Sequence, residues 1–473
     1  MGFWDKFKLS ASDPSSPPPK LSLVPLIALV FYSVSGGPFG VEDSVGAGGP
    51  LLAILGFLIL PFFWSVPEAL VTAELSTAFP ANGGYVLWIR EAFGSFWGFQ
   101  GGFWKWISGV IDNALYPVLF LDYLSPTFPT LASGLTRGVS IFGITLGLTF
   151  LNYRGLAVVG FTAVCLAIFS LAPFAVMGLL ALPKLEPRRW TSAHLGRVNW
   201  KNYLNNLFWN LNFWDKSSTL AGEVEDPSKT FPRALYISIF VVVASYLVPI
   251  LAGTGALELD QSRWVDGYFS TIAFAIGGSW LRIWIQLAAA LSNMGLFEAE
   301  MSSDSFQLLG MAEMGMLPKF LARRSRHGTP VWGIAFSALG IVMLSWMSFA
   351  EIIELLNFLY SVGMLLELAA FVALRVRRPD IPRPYKAPVG DRLGCVLVCV
   401  PPAALLVFVM SFASLRVVVV SASVIVVGLG LYWGLEAAKA HKWLEFIRGS
   451  PLPGEASSDN CNDAGINLVR LDD

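Results

Sequence analysis

Acidic side chains occur inside segments of the sequence that are otherwise apolar. Charged groups within a bilayer are rare because they lose their hydration, and those that occur usually bind a cation, carry a proton or pair with a basic residue. The acids in or beside such segments are Glu42, Asp43, Glu68, Glu74, Asp112, Asp122, Asp215, Glu298, Glu300 and Glu367. They outnumber the basic residues of the same segments, which are Lys105, Lys216 and Arg282. This imbalance favours a site for a cationic ligand.

The first apolar segment contains a stretch, Ser-Gly-Gly-Pro-Phe-Gly, that cannot form a regular helix. Pro38 has no amide hydrogen, and glycine lowers helix stability. Interrupted helices at membrane depth are typical of substrate sites in secondary transporters, so we predict that Gly37 and Glu42 take part in binding. A second interpretation stays open, because Gly36 and Gly40 also form a G-x-x-x-G pair of the kind that packs helices closely.

The third and sixth apolar segments carry polar residues suited to an organic ammonium group. Asp112 and Tyr116 are four residues apart and therefore share a helical face, with Asn113 beside them. Between Trp209 and Asp215 the sequence alternates aromatic rings with amides, and ring faces and carboxylates both attract ammonium groups. The alternative is that each acid forms a structural ion pair with an embedded basic residue.

A ligand with a carboxylate would find few partners in the first segment. Transporters with broken helices often bind a substrate carboxylate through backbone amides at the start of a half-helix. Here Pro38 removes one donor, and Glu42 would repel an anion.

The overall composition is that of a membrane protein. Of 473 residues, 55% are apolar and 14% are charged, whereas soluble proteins have roughly 45–50% apolar and about 25% charged residues. The net charge of −1 excludes the basic face of a nucleic-acid binder. Runs long enough to span a bilayer predict about twelve transmembrane helices, at 23–45, 51–79, 96–123, 138–152, 156–182, 204–222, 235–257, 268–297, 331–346, 352–374, 396–412 and 417–434.

The predicted spans also define the domains and their orientation. An even number of spans places both termini on one side, and most Lys and Arg residues of the loops fall on that side, which predicts cytoplasmic termini. We expect a disordered N-terminal tail at 1–20, a transporter domain at 21–441 and a C-terminal tail at 442–473. The Cys and His residues show no metal-ligand spacing, so we expect no metal, no organic cofactor and no catalytic residue.

Four loop motifs resemble the signatures of the amino acid–polyamine–organocation superfamily. The motifs are Phe79–Tyr85, Ala221–Pro227, Gly315–Lys319 and Arg383–Lys386, and the resemblance runs from about residue 21 to residue 441. Within that superfamily, the segments Ser35–Glu42, Asn212–Asp215 and Glu298–Asp304 resemble the plant polyamine uptake transporters, a branch near the L-type amino acid transporters.

The resemblance implies an all-α polytopic membrane protein with the five-plus-five inverted-repeat (LeuT-like) fold and broken first and sixth helices. It also implies proton-driven import of putrescine, spermidine or spermine, with paraquat as a further cargo of some members. By position in the motifs, the resemblance places Trp209, Asp215, Asn113, Tyr116 and Glu300 at the substrate site. Two departures are Phe213, where many members have glycine, and a fifth span without lysine, so another group must carry the proton.

We therefore predict a proton-coupled polyamine symporter in the plasma membrane, with the bilayer, polyamine and protons as its partners. The predicted substrate-binding residues are Gly37, Glu42, Asp112, Asn113, Tyr116, Trp209, Asp215, Glu298 and Glu300. The candidates for the proton carrier are Asp215, Glu298 and Glu300, because a buried carboxylate can hold a proton near neutral pH. The first alternative is an amino acid symporter or exchanger; a ligand sensor or a membrane-embedded enzyme would need an output domain or a nucleophile or metal constellation, and the sequence shows neither.

Overall fold

The computed structural model describes residues 20–447 except 126–127, 193–194, 259, 346–348 and 391, and it describes no side chains at 349–353. The two predicted tails therefore lie outside the described residues, apart from residue 20 and residues 442–447. Residues 442–447 lie against the short 3₁₀ helix Lys319–Ala322, where the amide of Lys319 donates to the carbonyl of Glu445 at 2.7 Å.

The described chain is helical, with only isolated β-bridges in addition. Its first part contains α1 (Leu23–Val34), α2 (Glu42–Gly48), α3 (Pro50–Phe63), α4 (Ser65–Ala78), α5 (Tyr85–Phe93), α6 (Ser95–Asn113), α7 (Leu115–Leu124), α8 (Gly134–Arg154) and α9 (Leu156–Ala181). Its second part contains α10 (Trp200–Asn210), α11 (Pro227–Ala256), α12 (Tyr268–Gly277), α13 (Ser279–Glu313), α14 (Val331–Leu344), α15 (Phe349–Arg377), α16 (Arg392–Met410) and α17 (Leu415–Ala440). Short 3₁₀ helices lie in the connections, among them Lys216–Glu223.

Seven helical segments of the described chain are long and apolar enough to cross a membrane. They are α3 with α4, α8, α9, α11, most of α15, α16 and α17, and the shorter helices α1, α12 and α14 are also apolar. Large apolar side chains on these helices are exposed, as expected for surfaces that face lipid. The prediction of an all-α, multi-pass integral membrane protein is confirmed at this level.

The sequence predicts the eighth span, 268–297, as one helix, whereas the structure has two helices in this range. The chain turns at Gly278 (φ +86°), between α12 and α13. A side chain is disfavoured at such a φ value, so a glycine allows the chain to end one helix and begin the next. Helix α13 then continues to Glu313, well beyond the predicted end, and its second half is buried on nearly all sides.

The first span is interrupted where the sequence predicts, between α1 and α2. Polar side chains bind the backbone carbonyls that the interruption leaves without helical partners. Ser292 donates its hydroxyl to the carbonyl of Gly36, and Asn206 donates its side-chain amide to the carbonyl of Gly40 at 2.6 Å. Since most residues of this break are buried, these bonds are what makes an irregular backbone tolerable there.

The sixth span is also interrupted, between α10 and the 3₁₀ helix that follows it, although no glycine is present. Phe213 adopts a φ of +70°, a conformation that is uncommon for a bulky residue and strained by about 1–3 kcal/mol. Side chains again bind the freed carbonyls: Trp64 donates to Leu211 at 3.0 Å, and Tyr246 donates to Asn210 at 2.7 Å. Surrounding hydrogen bonds therefore hold a break that the local sequence does not favour.

Helix α13 is the central packing element, in contact with α1, α6, α7, α9, α12 and α14. Its close approach to the loop before α5 depends on Gly310, since a methyl group there would lie 2.4 Å from the carbonyl oxygen of Asn82. Backbone atoms cannot give way cheaply, so this contact requires glycine.

We expect Gly310→Ala to lower the apparent melting temperature of the purified protein, because overpacking of this kind costs about 1–3 kcal/mol. Gly434→Ala in α17 is the matched control, since no atom lies within 4 Å of the added methyl group. It should leave the melting temperature unchanged or raise it slightly. Equal melting temperatures for the two variants would contradict the packing described here.

Candidate functional site

A recess lies between the two helix breaks and is lined by α1, α7, α10 and α13 with their adjoining segments. Its lining residues include Ser35, Gly36, Phe39 and Gly40 from the first break, Asp112, Tyr116 and Tyr123 from the third span, Trp209, Asn210 and Phe213 from the sixth, Ser292, Asn293 and Leu296 from α13, and Asp266. The recess thus combines carboxylates, aromatic rings and hydroxyls at the place where both helices are interrupted.

Asp112 is one of the two acids that line this recess. Tyr116 donates its hydroxyl to Asp112 Oδ2 at 2.9 Å, and Trp209 donates its indole N–H to Asp112 Oδ1 at 3.3 Å. Among the described residues Asp112 forms no ion pair, and its side chain is fully buried. The i to i+4 relation expected from the sequence is therefore present, and two neutral donors orient the carboxyl group. Glu300 also forms a hydrogen bond with Asp112, and the charge of Lys216 lies nearby.

The two glycines at the ends of the predicted G-x-x-x-G pair are also packing positions. A methyl group on Gly40 (φ +88°) would lie 2.8 Å from the ring of Trp209, and one on Gly36 would lie 2.4 Å from Leu296. The two interpretations of this motif are thus compatible, because the break and the close packing use the same residues. Gly40 brings the backbone of the first break directly against the Trp209 ring.

Lys216 lies beside the recess in what we call the Lys216 cluster, formed by Lys216, Asp112, Glu300 and Asp304. Its ammonium group binds Glu300 and lies 3.5 Å from Asp304 Oδ1. Gly109 leaves the space for this contact, since a methyl group there would overlap both Lys216 and Asp304. One lysine therefore faces three buried carboxyl groups.

Lys105 lies in a second group, the Lys105 cluster, formed by Lys105, Glu68, Asp215, Tyr360 and Glu367. The ammonium group binds Asp215, lies 2.6 Å from Glu367 Oε2, and is 3.9 Å from the centroid of the Tyr85 ring. All of these side chains are buried. This cluster also contains one cation and three carboxyl groups, and none of its members lines the recess.

The remaining embedded basic residue has no such role. Arg282 is exposed near the start of α13 and lies over the ring of Phe274 at 5.9 Å. Two of the three basic residues thus form the ion pairs that the sequence left open as an alternative.

The structure places the predicted site residues in three groups. Asp112, Tyr116 and Trp209 line the recess, while Asp215 and Glu300 are bound to lysines beside it. The third group, described next, does not line the recess.

Gly37 and Glu42 belong to this third group. The backbone amide of Gly37 (φ +88°) donates to the hydroxyl oxygen of Ser35 at 3.1 Å. Glu42 is fully buried at the start of α2, where its Oε2 accepts the amide hydrogen of Gly40 at 3.0 Å. These two backbone amides of the break, those of Gly37 and Gly40, therefore already have side-chain partners within the chain.

Asn113 and Glu298 complete this group. Asn113 donates its side-chain amide to the carbonyl of Phe297 at 3.4 Å. Glu298 accepts the hydroxyl of Thr162 on α9 at 2.5 Å, its other oxygen has no hydrogen-bond partner among the described residues, and it forms no ion pair there. Glu298 thus lies at the contact between α13 and α9, apart from both lysine clusters.

Two acids were not among the predicted site residues, one in the Lys216 cluster and one on the recess. Asp304 lies four residues after Glu300 on α13, and this helical spacing was the signal that could have identified it. Asp266 lies in a polar loop, where an acid is unremarkable, and only the fold brings it to the recess. Its side chain keeps contact with solvent, but desolvation by the surrounding protein and the charges of Asp43 and Asp122 raise its pKa above that of an ordinary aspartate.

A network of hydrogen bonds around Glu223, which we call the Glu223 network, joins three segments that are far apart in the chain. The carboxylate of Glu223 accepts hydrogen bonds from Asn82 at 2.7 Å and from Arg324 at 2.8 Å. Its backbone carbonyl accepts the amide hydrogen of Leu21, and Asn82 in turn accepts the amide hydrogen of Gly222. Glu223 therefore joins the start of α1, the loop before α5 and the loop before α14.

Glu74 has a structural role on α4. Its carboxylate binds Arg375 in a bidentate pair, with both distances 2.5 Å, and lies 3.1 Å from Arg383. It also accepts the amide hydrogen of Ala387 at 2.9 Å. Glu74 thus fastens the loop after α15 and is not available to a ligand.

The fold and the site define a multi-pass membrane protein with a polar recess at two interrupted helices. The family model for amino acid permeases matches residues 21–433, and the chain belongs to this family. It is 58% identical to a probable polyamine transporter of Arabidopsis thaliana over 96% of this chain and 95% of that protein. It is 60% identical to polyamine transporter PUT1 of Oryza sativa subsp. japonica, over 92% and 81% of the two chains. A more distant relative is the large neutral amino acids transporter small subunit 2 of Homo sapiens, 27% identical over 74% and 67%.

We expect Lys105→Met to destabilise the protein strongly, because it leaves two ionised carboxylates buried without a cation, at about 3–5 kcal/mol. Adding Asp215→Asn should recover part of the loss in apparent melting temperature. Lys319→Met is the matched control, since both partners of the Lys319–Glu445 pair are exposed and such pairs contribute little. A Lys105→Met protein as stable as the control would show that the pair does not form.

Proposed function

We propose that this protein is a proton-coupled importer of polyamines. One observation carries the proposal: the side chain of Asp112 is buried, lines the recess and has aromatic neighbours. Among the described residues it forms no ion pair. Such a group is suited to bind an ammonium group, because charge attraction and contact with the ring faces of Tyr116 and Trp209 act together. The printed names of the Arabidopsis and rice relatives, polyamine transporters, support this choice of cation.

A polyamine has several ammonium groups separated by methylene chains, and the recess matches this pattern. Asp112 and Asp266 both line it, and the proposal assigns one ammonium group of an extended polyamine to each. Phe39, Leu119 and Tyr123 lie on the same lining and can cover the methylene groups. Carboxylates separated by apolar surface are the complement of a linear polycation.

An amino acid is the second candidate, because the family and the human relative point to it. Its carboxylate would need free backbone amides at the first break. The amides of Gly37 and Gly40 are already bound to Ser35 and Glu42. These contacts favour a ligand without a carboxylate.

The proposed transport cycle uses the five-plus-five inverted-repeat fold with about twelve spans. Breaks in the first and sixth spans, five spans apart, support this arrangement. The Glu223 network would close one side while the recess at Asp266 receives substrate from the other. We place the termini in the cytoplasm and the protein in the plasma membrane, so that opening of the Glu223 network releases substrate into the cell.

Among the three proposed proton carriers, the contacts favour Glu298. Asp215 and Glu300 are each bound to a buried lysine, which stabilises the ionised carboxylate. Glu298 is buried with only the Thr162 hydroxyl as a partner, and α9 offers it no basic residue. A buried acid without a cation is the group whose charge is most easily removed by a proton.

We expect Asp112→Asn to raise the half-saturating concentration for spermidine uptake into proteoliposomes by at least about tenfold, since loss of one buried charge interaction exceeds 1.4 kcal/mol. Asp122→Asn is the matched control, because Asp122 is exposed on α7 and paired with Arg137 at 2.7 Å. It should change uptake little.

The competition pattern in the same assay tests the substrate class. Excess putrescine should block labelled spermidine, whereas leucine and arginine should not. Block by the amino acids, or equal uptake by the Asp112→Asn and Asp122→Asn proteins, would favour the amino acid alternative.

We expect Glu298→Gln to abolish the acceleration of spermidine uptake by an inward proton gradient, because glutamine cannot exchange a proton. Exchange of labelled for unlabelled spermidine across the membrane without a gradient should persist, since glutamine resembles the protonated acid. Gradient-driven accumulation that matches the wild-type protein would exclude Glu298 as the carrier.

A further inference from the structure

The hydroxyl of Tyr360 has more hydrogen-bond partners than one proton can serve. It lies 2.6 Å from Glu68 Oε1 and 3.0 Å from Asp215 Oδ1, and it accepts the amide hydrogen of Phe213 at 3.2 Å. A phenol has a single hydrogen to donate. Two carboxyl groups can therefore both bind this hydroxyl only if one of them carries a proton and donates it to Tyr360.

The position of Lys105 indicates which carboxyl group is ionised. Its three ammonium hydrogens have three partners: Asp215, Glu367 and the sulfur of Met364 at 3.2 Å. Asp215 is thus held as a carboxylate by direct contact with a cation. Lys105 has no hydrogen left for Glu68.

Glu68 has the surroundings of a neutral acid. Its side chain is fully buried, and its second oxygen has no partner among the described residues. The charged and titratable groups that face it are Tyr360 and Glu367 on α15, Asp215 in the sixth break and Lys105 on α6. With one cation and three carboxyl groups in this space, ionisation of all three would leave two negative charges uncompensated away from water.

We propose that Glu68 binds a proton and, as a neutral acid, positions Tyr360 so that it holds the break of the sixth span. In this arrangement Glu68 donates to Tyr360, Tyr360 donates to Asp215, and the amide of Phe213 donates to the free lone pair of Tyr360. Every donor and acceptor on the Tyr360 hydroxyl is then used. The site is distinct from the recess, and its ligand is a proton.

Loss of the proton would change what Tyr360 does. When Glu68 ionises, it releases one H⁺ to water and can only accept hydrogen bonds. The single hydrogen of Tyr360 can then bond to only one of the two carboxylates. The shorter contact is to Glu68, so Asp215 would lose its bond from Tyr360. Because Phe213 is held in a strained conformation by the same hydroxyl, protonation of Glu68 is coupled to the stability of the break.

The proposal rests on the proposed function for its transport readout, so the test separates the two. Exchange of labelled for unlabelled spermidine is measured in proteoliposomes with equal pH on both sides, from mildly acidic to alkaline pH. The proteins are the wild type, Glu68→Gln, Glu298→Gln and the double variant. Wild-type protein that is folded and does not exchange spermidine would overturn the proposed function rather than the role of Glu68.

The Glu298→Gln background removes the proposed transport proton, and any remaining pH dependence can then report on Glu68. We expect exchange by Glu298→Gln to decline at alkaline pH, because Glu68 ionises. In the double variant the decline should disappear or move by at least one pH unit, about 1.4 kcal/mol for a proton site. Identical pH profiles for Glu298→Gln and the double variant would overturn the proposal.

Infrared spectroscopy tests the proton directly and needs no transport. The wild-type spectrum at neutral pH should contain the carbonyl band of a protonated carboxyl group that Glu68→Gln lacks. Tyr360→Phe, which retains Glu68 and removes its hydrogen-bond partner, should shift that band. If Glu68→Gln fails to fold, the test rests on the shift of the carboxyl band in Tyr360→Phe. A spectrum unchanged by Tyr360→Phe would overturn the proposal.

Discussion

The absence of water is the constraint on which this structure depends. Inside a bilayer each polar group without a partner costs several kcal/mol, so the two interrupted helices exist only because side chains bind their free backbone groups. Ser292 and Asn206 bind carbonyls of the first break, and Trp64 and Tyr246 bind those of the sixth. The same rule governs the charges, because both buried lysines bind carboxylates. The breaks and the ion pairs are therefore one connected polar interior.

Part of this arrangement could be predicted from the sequence because its causes are local. Pro38 and its neighbouring glycines interrupt a helix wherever they occur, and the four-residue spacing of Asp112 and Tyr116 places them in contact. The apolar runs predict the helical, multi-pass class for the same reason. The residues at which individual helices begin and end were less predictable, since Gly278 divides one apolar run into two helices.

The remaining features depend on residues far apart in the chain. Lys105 meets Asp215 across 110 positions and Glu367 across 262, so no local pattern indicates which acid each lysine binds. Phe213 takes a conformation that its own residue type disfavours, and the partner that holds it, Tyr360, lies 147 positions away. Likewise Asp266 joins the recess only through the fold. Long-range pairing, rather than composition, thus divides the embedded acids into ion-pair partners and free sites.

A site that binds its ligand reversibly needs an acid that is stable both with and without the ligand. Breaking a buried ion pair leaves an uncompensated charge, which is strongly destabilising, so a carboxylate that depended on its ligand for compensation would make the empty protein unstable. Asp112 avoids this, because Tyr116 and Trp209 donate hydrogen bonds to it and the charge of Lys216 lies nearby when no cation is bound. Lys105 and Lys216, by contrast, belong to the chain and cannot leave, so Asp215 and Glu300 stay compensated throughout. The direct ion pairs of Lys216 are with Glu300 and Asp304 rather than with Asp112, so a cation can bind Asp112 reversibly without replacing either pair.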